Sequence, residues 1–301
     1  MNEALVTRNL VKRYGRNRAL DGFTLSVPVR SVLGLVGCNG AGKTTWMMTV
    51  AGFVQPTSGE INILGKGRFD AQVHSGRLSI LPQDSELPLE ERARDLLVRY
   101  ARLQGLSAPA ARAAADELLA AFNLAGKANS PIRSLSHGMR KRVMVAQAFI
   151  GNPEIVLLDE PLSGLDPVEQ DRMRAFFLAR RGHTTMVVSS HQLTDIEKLC
   201  THVAFVSAGR VTGVETLAKL TSDSGRLVYR LRSRPADLAA LEAELAGGRC
   251  SWNETTLELT VDFDDVRTPE GVNAALVPRL LPSGLVSITA GRTLEQAYLR
   301  K

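Results

Sequence analysis

Residues 31–45 read SVLGLVGCNGAGKTT, and this stretch decides the fold. Its first part, residues 31–36, is a mostly apolar run that is typical of a buried parallel strand. A glycine-rich segment follows and opens a helix; its residues are Gly37, Cys38, Asn39, Gly40, Ala41, Gly42, Lys43, Thr44 and Thr45. A strand before such a segment and a helix after it predict a phosphate-binding loop, in which backbone N–H groups face phosphate oxygens. Lys43 is expected to reach the β- and γ-phosphates of a nucleotide, and the Thr44 hydroxyl to ligate Mg²⁺.

A second apolar run ends in two carboxylates. Residues 155–158, IVLL, predict a central strand, and Asp159 and Glu160 follow at its carboxyl end. Open α/β sheets bind their ligands at that edge. Asp159 is expected to hold Mg²⁺ mainly through its water shell, because Mg²⁺ dehydrates reluctantly. Glu160 is expected to orient and polarise an attacking water.

A third motif, Leu135-Ser136-His137-Gly138-Met139, leads into a helix predicted over residues 139–149. Ser136 is typical of an N-cap residue, and Gly138 permits an anion to approach backbone donors at the helix N-terminus. One nucleotide cannot easily use this turn and the phosphate loop within one subunit if they lie on opposite faces. The two motifs therefore favour a head-to-tail pair of subunits, in which each presents this turn to the other's ATP.

The rest of the chain is organised around these motifs. Short β-rich segments occupy residues 1–70, and strand–helix–strand alternation after residue 150 indicates a parallel α/β sheet. Residues 84–150 are expected to form a helical subdomain of an ATP-binding domain that spans residues 1–221. A small polar stretch at 221–225 is typical of a linker, and residues 222–301 predict a small α+β domain, with one strand over 256–261.

Composition excludes several other classes of protein. The 301 residues are 44% apolar and 23% charged, which are ordinary globular values rather than those of a disordered or collagen-like chain. We find no apolar run near the ~18 residues of a membrane span and no secretory signal, and so expect a soluble chain on the cytoplasmic side. The net charge is +6 without a base-reading motif, so no nucleic acid partner is expected. The three cysteines lack metal-like spacing and are expected to be reduced thiols.

The order of these motifs resembles the ATP-binding subunits of ABC transporters, over about residues 3–220. Gln83 matches the glutamine loop of that family, Ser163-Gly164-Leu165-Asp166 its D-loop, and His191 its switch histidine. Tyr14 matches the aromatic residue that stacks on adenine. Residues 135–139 match the signature motif, although His137 and Met139 depart from the commonest Leu-Ser-Gly-Gly-Gln form. The tail is similar to the C-terminal extension of members that export drugs and antibiotics.

The resemblance implies an α/β P-loop NTPase of the ABC ATPase fold, with a mixed-sheet core, an antiparallel β subdomain and a helical subdomain. It implies ATP and Mg²⁺ as cofactors and Glu160, His191 and Lys43 as catalytic residues. The residues expected around Mg²⁺ are Thr44, Gln83 and Asp159. Those expected to contact nucleotide are Tyr14, Gly37 through Thr45, Gln83, Ser136, Gly138 and Asp166, of which Asp166 would lie at a dimer seam.

By this resemblance the chain is expected to hydrolyse ATP and to power a membrane transporter, in the direction of export. Its partners would be a second copy or a paralogue, together with a separate integral membrane permease. This assembly would place the chain peripherally on the inner face of the cell membrane. One alternative is a soluble ABC ATPase that acts on ribosomes or DNA, although a single cassette without heptads or cysteine pairs disfavours it. Another is a nucleotide-gated regulator, which the intact Lys43, Asp159, Glu160 and His191 disfavour.

Overall fold

The computed structural model describes residues 3–221, 225–245, 248–263, 267–291 and 294. The chain divides into two compact units, Met1–Glu215 and Thr216–Lys301. The expected boundary between residues 221 and 222 stays a prediction, and residues 222–224 of the expected linker lie outside the described residues. None of the helices in the described ranges has the length and apolar character needed to cross a membrane.

The first unit opens with an antiparallel sheet. Its strands are β1 (Glu3–Tyr14), β2 (Asn17–Pro28) and β4 (Ser58–Ile63), in the order β2-β1-β4. Helix α1 (Lys43–Val50) packs on this sheet through Trp46, whose ring stacks on Phe23 at 5.5 Å between centroids. The Trp46 indole N–H donates to Thr7 Oγ1 at 3.1 Å. A buried aromatic side chain with its polar atom satisfied therefore fixes the helix that follows the phosphate loop.

The second sheet of this unit has the strand order β5-β6-β7-β3-β8-β9. Its strands are β3 (Val32–Val36), β5 (Leu78–Leu81), β6 (Ile155–Asp159), β7 (Thr185–Ser189), β8 (His202–Ser207) and β9 (Arg210–Thr216). The four pairings from β5 to β8 are parallel, which confirms the predicted parallel sheet. A two-residue connection joins β8 to β9, and so short a link fits only an antiparallel pair. The sheet is therefore mixed, as expected for the ABC ATPase fold.

Helices cover the mixed sheet and form the helical region. They are α2 (Ala71–His74), α3 (Ala93–Leu103), α4 (Ala108–Ala121), α5 (His137–Ala148), α6 (Pro167–Arg180) and α7 (Leu193–Leu199). An ion pair joins α5 to α6, with Arg142 Nη1 at 3.1 Å from Glu169 Oε2 and both side chains largely buried. Arg142 also donates to the Phe122 carbonyl at 2.8 Å. These contacts tie the signature helix to the helix that follows Asp159 and Glu160.

The second unit is a four-stranded antiparallel sheet with helices, which confirms the predicted α+β class. Its elements are α8 (Leu217–Thr221), β10 (Arg226–Leu231), α9 (Leu238–Glu244), β11 (Arg249–Asn253), β12 (Glu258–Asp262), α10 (Pro269–Leu280) and β13 (Leu285–Ala290). The strand order is β11-β12-β10-β13. The strand expected from residue 256 begins at Glu258, because the Asn253 side chain accepts hydrogen bonds from the N–H groups of Thr255 and Thr256. This local turn competes with the extended conformation and delays the strand.

Candidate active site

Neighbouring strands of the mixed sheet end at one cavity of about 760 Å³. Because the carboxyl ends of parallel strands lie at the same edge, the segments that follow β3, β5, β6 and β7 meet there. The expected site residues that line the cavity are Tyr14, Asn39, Gly40, Ala41, Gly42, Lys43, Thr44, Thr45, Gln83, Asp159, Glu160 and His191. The other residues of its wall are Asn17, Arg18, Ala19, Ser163, Ala208 and Gly209.

The phosphate loop closes around the Lys43 ammonium. Lys43 Nζ donates to the carbonyl oxygens of Gly37 at 2.6 Å and Cys38 at 3.1 Å, and the side chain is largely buried. Gly42 has φ 105°, and a Cβ on this residue would lie 2.7 Å from the Ala19 carbonyl oxygen. Only glycine fits this left-handed, crowded position without strain. The loop therefore holds a fixed positive charge at the N-terminus of α1, as a phosphate site requires.

Asp159 is buried at the end of β6 and uses both carboxylate oxygens. Its Oδ2 accepts a hydrogen bond from Thr44 Oγ1 at 2.6 Å, and its Oδ1 accepts a short one from Ser189 Oγ. The Thr44 hydroxyl and the Asp159 carboxylate therefore lie side by side on the cavity wall. The sequence predicts both as groups near Mg²⁺, and it gives no role to Ser189.

Glu160 is held in an unusual backbone conformation beside a histidine. Its φ is 50°, in the left-handed region, and its N–H donates to Ser189 Oγ at 3.0 Å. Glu160 Oε2 lies 2.8 Å from His191 Nδ1. Because an ionised carboxylate can only accept, this hydrogen bond places a proton on Nδ1 of the His191 ring. The Glu160 side chain is largely buried and the His191 side chain is exposed, and both residues line the cavity.

Tyr14 and Gln83 reach the cavity from two separate segments of the first unit. Tyr14 is the last residue of β1, and its ring is about half exposed. Lys12 Nζ lies 4.9 Å from the ring centroid and donates to the Gln55 carbonyl at 2.8 Å. A ring with a cation on one face can still stack a base on the other. Gln83 follows the end of β5 and lines the wall near Asp159 and Glu160.

Arg18 is a cavity residue that sequence reasoning missed. Its guanidinium pairs closely with Asp21, which also accepts hydrogen bonds from Arg210. Hydrogen bonds from Arg210 and Arg18 lower the pKa of the Asp21 carboxyl, so the cluster keeps its charges. In sequence Arg18 is one of several arginines near Tyr14, and only the pairing of β1 with β2 brings it to the wall.

The signature turn lies away from this cavity. Ser136 is the N-cap of α5, as predicted, with its Oγ accepting from the Met139 N–H at 3.2 Å. Asp166 likewise caps α6 and accepts from the Glu169 N–H at 3.0 Å. Within the part of the chain that the structure describes, Ser136, Gly138 and Asp166 do not line the cavity that holds Lys43. Gly37 and Cys38 contribute carbonyl groups to the loop and are also outside the lining.

A smaller hollow of about 400 Å³ separates the signature helix from the carboxylates. It is lined by Gln83, Asp84, Ser85, Glu86, His137, Lys141, Met144, Glu160, Ser163 and Gly164. Lys141 is buried there, and the loss of hydration lowers its pKa, while the charges of Glu160, Asp159 and Asp84 oppose that shift. The His137 ring packs against Gly164, where a Cβ would lie 3.1 Å from His137 Cε1. His137, which replaces a glycine of the commonest signature, thus places its ring against Gly164 in the D-loop segment of the same subunit.

The residues in the cavity fit a magnesium nucleotide. Mg²⁺ is usually bound through one or two protein oxygens, water and substrate phosphates. The adjacent oxygens of Thr44 and Asp159 supply that limited set. No cluster of three or more His, Cys, Asp or Glu side chains that could hold a metal occurs among the described residues. The donor set therefore matches a cation carried mainly by its nucleotide.

Comparisons with known proteins agree with this geometry. The family model described as ABC transporter matches residues 20–163. The chain is 33% identical to Nod factor export ATP-binding protein I of Burkholderia orbicola (strain AU 1054), over 97% of this chain and 95% of the relative. It is 33% identical to the daunorubicin/doxorubicin resistance ATP-binding protein DrrA of Streptomyces peucetius, over 88% of this chain and 82% of the relative.

Solved structures share the fold over about 72% of this chain. An ATP-binding subunit of an ABC transporter has a TM-score of 0.65 and 26% identity, covering 72% of this chain and 91% of its own. The dimeric post-hydrolysis structure of an ATP-binding cassette with ADP and phosphate has a TM-score of 0.65 and 23% identity. It covers 71% of this chain and 98% of its own.

Proposed function

Because the chain belongs to the ATP-binding subunits of ABC transporters and is an ATPase of that family, we propose that it powers export through a separate integral membrane permease. Export is supported by relatives that match along most of this chain and are named for Nod factor export and for daunorubicin resistance. These names favour transport over action on ribosomes or DNA. They also favour a peripheral position on the inner face of the membrane, through the permease.

The observation that carries the proposal is that the phosphate loop and the signature turn do not share one cavity within the described part of the subunit. Lys43, Asp159, Glu160 and His191 share one cavity, and Gly138 lies outside its lining. A second copy or a paralogue, packed head to tail, would bring its signature turn to the nucleotide held by the first. Each subunit would then supply half of two sites, and closure of the pair would move the helical region after Gln83.

The residues of the cavity divide the work of hydrolysis. The loop backbone and Lys43 bind the phosphates, Tyr14 stacks on the base, and the fixed Glu160–His191 pair orients the attacking water. Thr44 and Asp159, with Gln83 nearby, would hold Mg²⁺, which supplies charge neutralisation on the phosphate oxygens when bound. We further propose that residues 1–221 form the cassette and residues 222–301 an accessory domain.

Glu160→Gln tests the assignment of the general base. We expect turnover to fall by about 10²–10⁴-fold, because the amide cannot accept a proton from water. With ATP and Mg²⁺ the variant is expected to run as a dimer in size-exclusion chromatography, since the pair closes without reopening. Glu90→Gln removes an exposed ion pair with Arg133 and serves as a matched control. Wild-type turnover in Glu160→Gln would show that another group acts as the base.

The membrane partner is tested by affinity purification from the native host. We expect the tagged full-length chain to co-purify from detergent extracts with an integral membrane protein, in a complex whose ATPase rate exceeds that of the chain alone. Lys43→Ala is expected to recover the same partner with no turnover. Recovery of ribosomes or DNA in place of a membrane protein would contradict the transport function.

A further inference from the structure

Ser189 connects the two carboxylate residues of the site. It is the last residue of β7, is fully buried, and is the register partner of Asp159 on β6. Its hydroxyl donates to Asp159 Oδ1 and accepts the Glu160 N–H at 3.0 Å. One side chain therefore contacts both Asp159, which the proposed mechanism places at the metal, and Glu160, which it places at the attacking water.

The donor and acceptor capacity of the Ser189 hydroxyl fixes the direction of each hydrogen bond. A serine hydroxyl has one proton to donate, and here the Asp159 carboxylate takes it. The Glu160 N–H can only donate, so it occupies a lone pair of the same oxygen. Because Ser189 binds Oδ1 of Asp159, the other oxygen is turned toward Thr44 on the cavity wall. The serine thus sets the rotation of the Asp159 carboxylate.

The same contact supports the backbone of Glu160. A φ of 50° is sparsely populated by residues other than glycine and persists only where surrounding groups hold it. The hydrogen bond from the Glu160 N–H to Ser189 is such a group. It fixes the peptide that carries Glu160, and with it the position of the carboxylate beside His191.

We propose that Ser189 is a positioning residue for ATP hydrolysis, which orients Asp159 toward the metal and Glu160 toward the attacking water. The inference rests on the proposed hydrolytic function of the cavity. Ser189 itself touches neither nucleotide nor water in this role, since it is fully buried and its one proton is donated to Asp159. Its removal should therefore impair metal binding and the chemical step while leaving the affinity for metal-free nucleotide in place.

Three substitutions separate the hydroxyl from the volume of the side chain. Ser189→Ala removes both hydrogen bonds, Ser189→Cys keeps a similar volume with a weak donor, and Ser189→Thr keeps the hydroxyl. The matched control is Thr185→Val, at the other end of β7, where a buried hydroxyl accepts the Arg30 N–H at 2.8 Å. Thermal unfolding of every variant identifies any that fail to fold, and the folded variants are carried into the two assays.

The first assay is steady-state ATP hydrolysis. We expect kcat to fall by about 10–100-fold in Ser189→Ala and Ser189→Cys, the range seen when the hydrogen-bond partner of a metal ligand is removed. The affinity for ATP without metal should stay unchanged, because the phosphate loop and Tyr14 are intact, and KM for MgATP should rise only in step with the loss of metal affinity. Ser189→Thr and Thr185→Val should keep a kcat near that of the wild type. A wild-type kcat in Ser189→Ala would overturn the inference, as would an equal loss in Thr185→Val.

The second assay does not depend on turnover. Mn²⁺ bound with a non-hydrolysable ATP analogue is followed by electron paramagnetic resonance, and its affinity should fall about 10-fold or more in Ser189→Ala. Wild-type Mn²⁺ affinity in that variant would contradict the positioning of Asp159. If the wild-type protein itself lacks ATPase activity, the proposed function fails, while a lower Mn²⁺ affinity in Ser189→Ala would still support the positioning role.

Discussion

The phosphate loop and the signature turn are both helix N-termini with glycine, and they differ in what requires that glycine. At Gly42 the chain itself imposes it, because φ is 105° and an added Cβ would lie 2.7 Å from the Ala19 carbonyl oxygen. At Gly138, in the first turn of α5, φ is helical and the nearest atom to an added Cβ is Leu165 Cδ2, at an ordinary 3.5 Å. Among the described residues of the subunit, nothing crowds Gly138. This difference is what the proposed head-to-tail dimer requires, because in that dimer the signature turn would face a nucleotide held by another subunit.

The two turns also differ in how their polar groups are used. In the phosphate loop a buried ammonium, Lys43, is held by loop carbonyls beside the Asp159 carboxylate. In the signature turn the Ser136 hydroxyl caps its own helix, and Ser136 and His137 are exposed while Gly138 is half-buried. The first turn is therefore built to bind phosphate within one subunit. In the proposed dimer the second would offer its helix N-terminus to a nucleotide that the other subunit binds.

The largest expected effect comes from removing the positive charge of Lys43, which the phosphate loop has and the signature turn does not use. Lys43→Ala should reduce ATP turnover by about 10²–10³-fold or more, because it removes the cation that stabilises charge on the transferred phosphoryl group. It should also weaken the binding of a fluorescent ATP analogue to the monomer. Lys127→Ala, an exposed lysine of the helical region, is the control and should behave as the wild type. Undiminished nucleotide binding in Lys43→Ala would show that the first turn does not hold the phosphates.

The next effect contrasts the two glycines directly. Gly42→Ala is expected to lower the free energy of unfolding by about 1–2 kcal/mol or more, because a side chain is strained at this φ. Gly138→Ala is expected to leave that free energy unchanged or to raise it by up to about 1 kcal/mol, since alanine favours helix. Turnover of Gly138→Ala should nevertheless fall about 10- to 100-fold, through misplacement of the opposing phosphates. The measurements are chemical denaturation and ATPase rate.

A stable Gly138→Ala protein with full ATPase activity would remove the reason for placing a partner's nucleotide at the signature turn. A destabilised one would mean that the glycine is required within the subunit after all. The first outcome would leave Gly138 without a functional role, and the second would remove its contrast in stability with Gly42.

Mixing two inactive variants gives a smaller but more specific effect. A dimer of one Lys43→Ala subunit and one Gly138→Ala subunit contains one site with an intact loop and an intact signature turn. Random pairing of equal amounts should restore about a quarter of the wild-type sites, since half of the dimers are mixed and each has one good site. ATPase activity of the mixture, compared with each variant alone, measures this recovery. Activity equal to the mean of the two would contradict the division of each site between subunits.

Much of the site follows from the sequence because its residues sit next to strong local patterns. The apolar runs of β3, β6 and β7 predict buried parallel strands, and their carboxyl ends carry the loop, Asp159 and His191. Parallel pairing then brings these groups to one edge whatever the details of packing. The structure does bring them to one cavity.

The features that the sequence does not predict depend on strand register and on contacts between residues that are far apart in sequence. Over residues 1–70 the sequence indicates only short β-rich segments, whereas strand β1 extends over Glu3–Tyr14. Bulges near Leu10 break the alternation by which so long a strand would be recognised. Ser189 and Ser190 are equivalent in sequence. Only the pairing of β6 with β7 puts Ser189 opposite Asp159, while Ser190 accepts the Gln192 N–H in the next turn. Side-chain partners of this kind are set by tertiary contacts.

The smallest expected effect uses the three cysteines as reporters of the first turn. Cys38 lies exposed within the phosphate loop, Cys250 is half-buried and Cys200 is buried. Burial, with the nearby charges of Glu242 and Asp262, raises the pKa of the Cys250 thiol to about 11, and burial also raises the pKa of Cys200. The thiolate is the reactive form, so at pH 8 both should react slowly with N-ethylmaleimide and serve as internal references beside Cys38.

ATP bound in the loop should slow the labelling of Cys38 several-fold, as measured by mass spectrometry of peptides. The same protection is expected in Gly138→Ala, because the phosphate loop binds nucleotide without help from a signature turn. In Lys43→Ala the protection of Cys38 by ATP should be lost. Protection that disappears in Gly138→Ala would mean that both turns are needed for binding itself, and the two regions would then form one binding unit instead of a primary site and a contributed half.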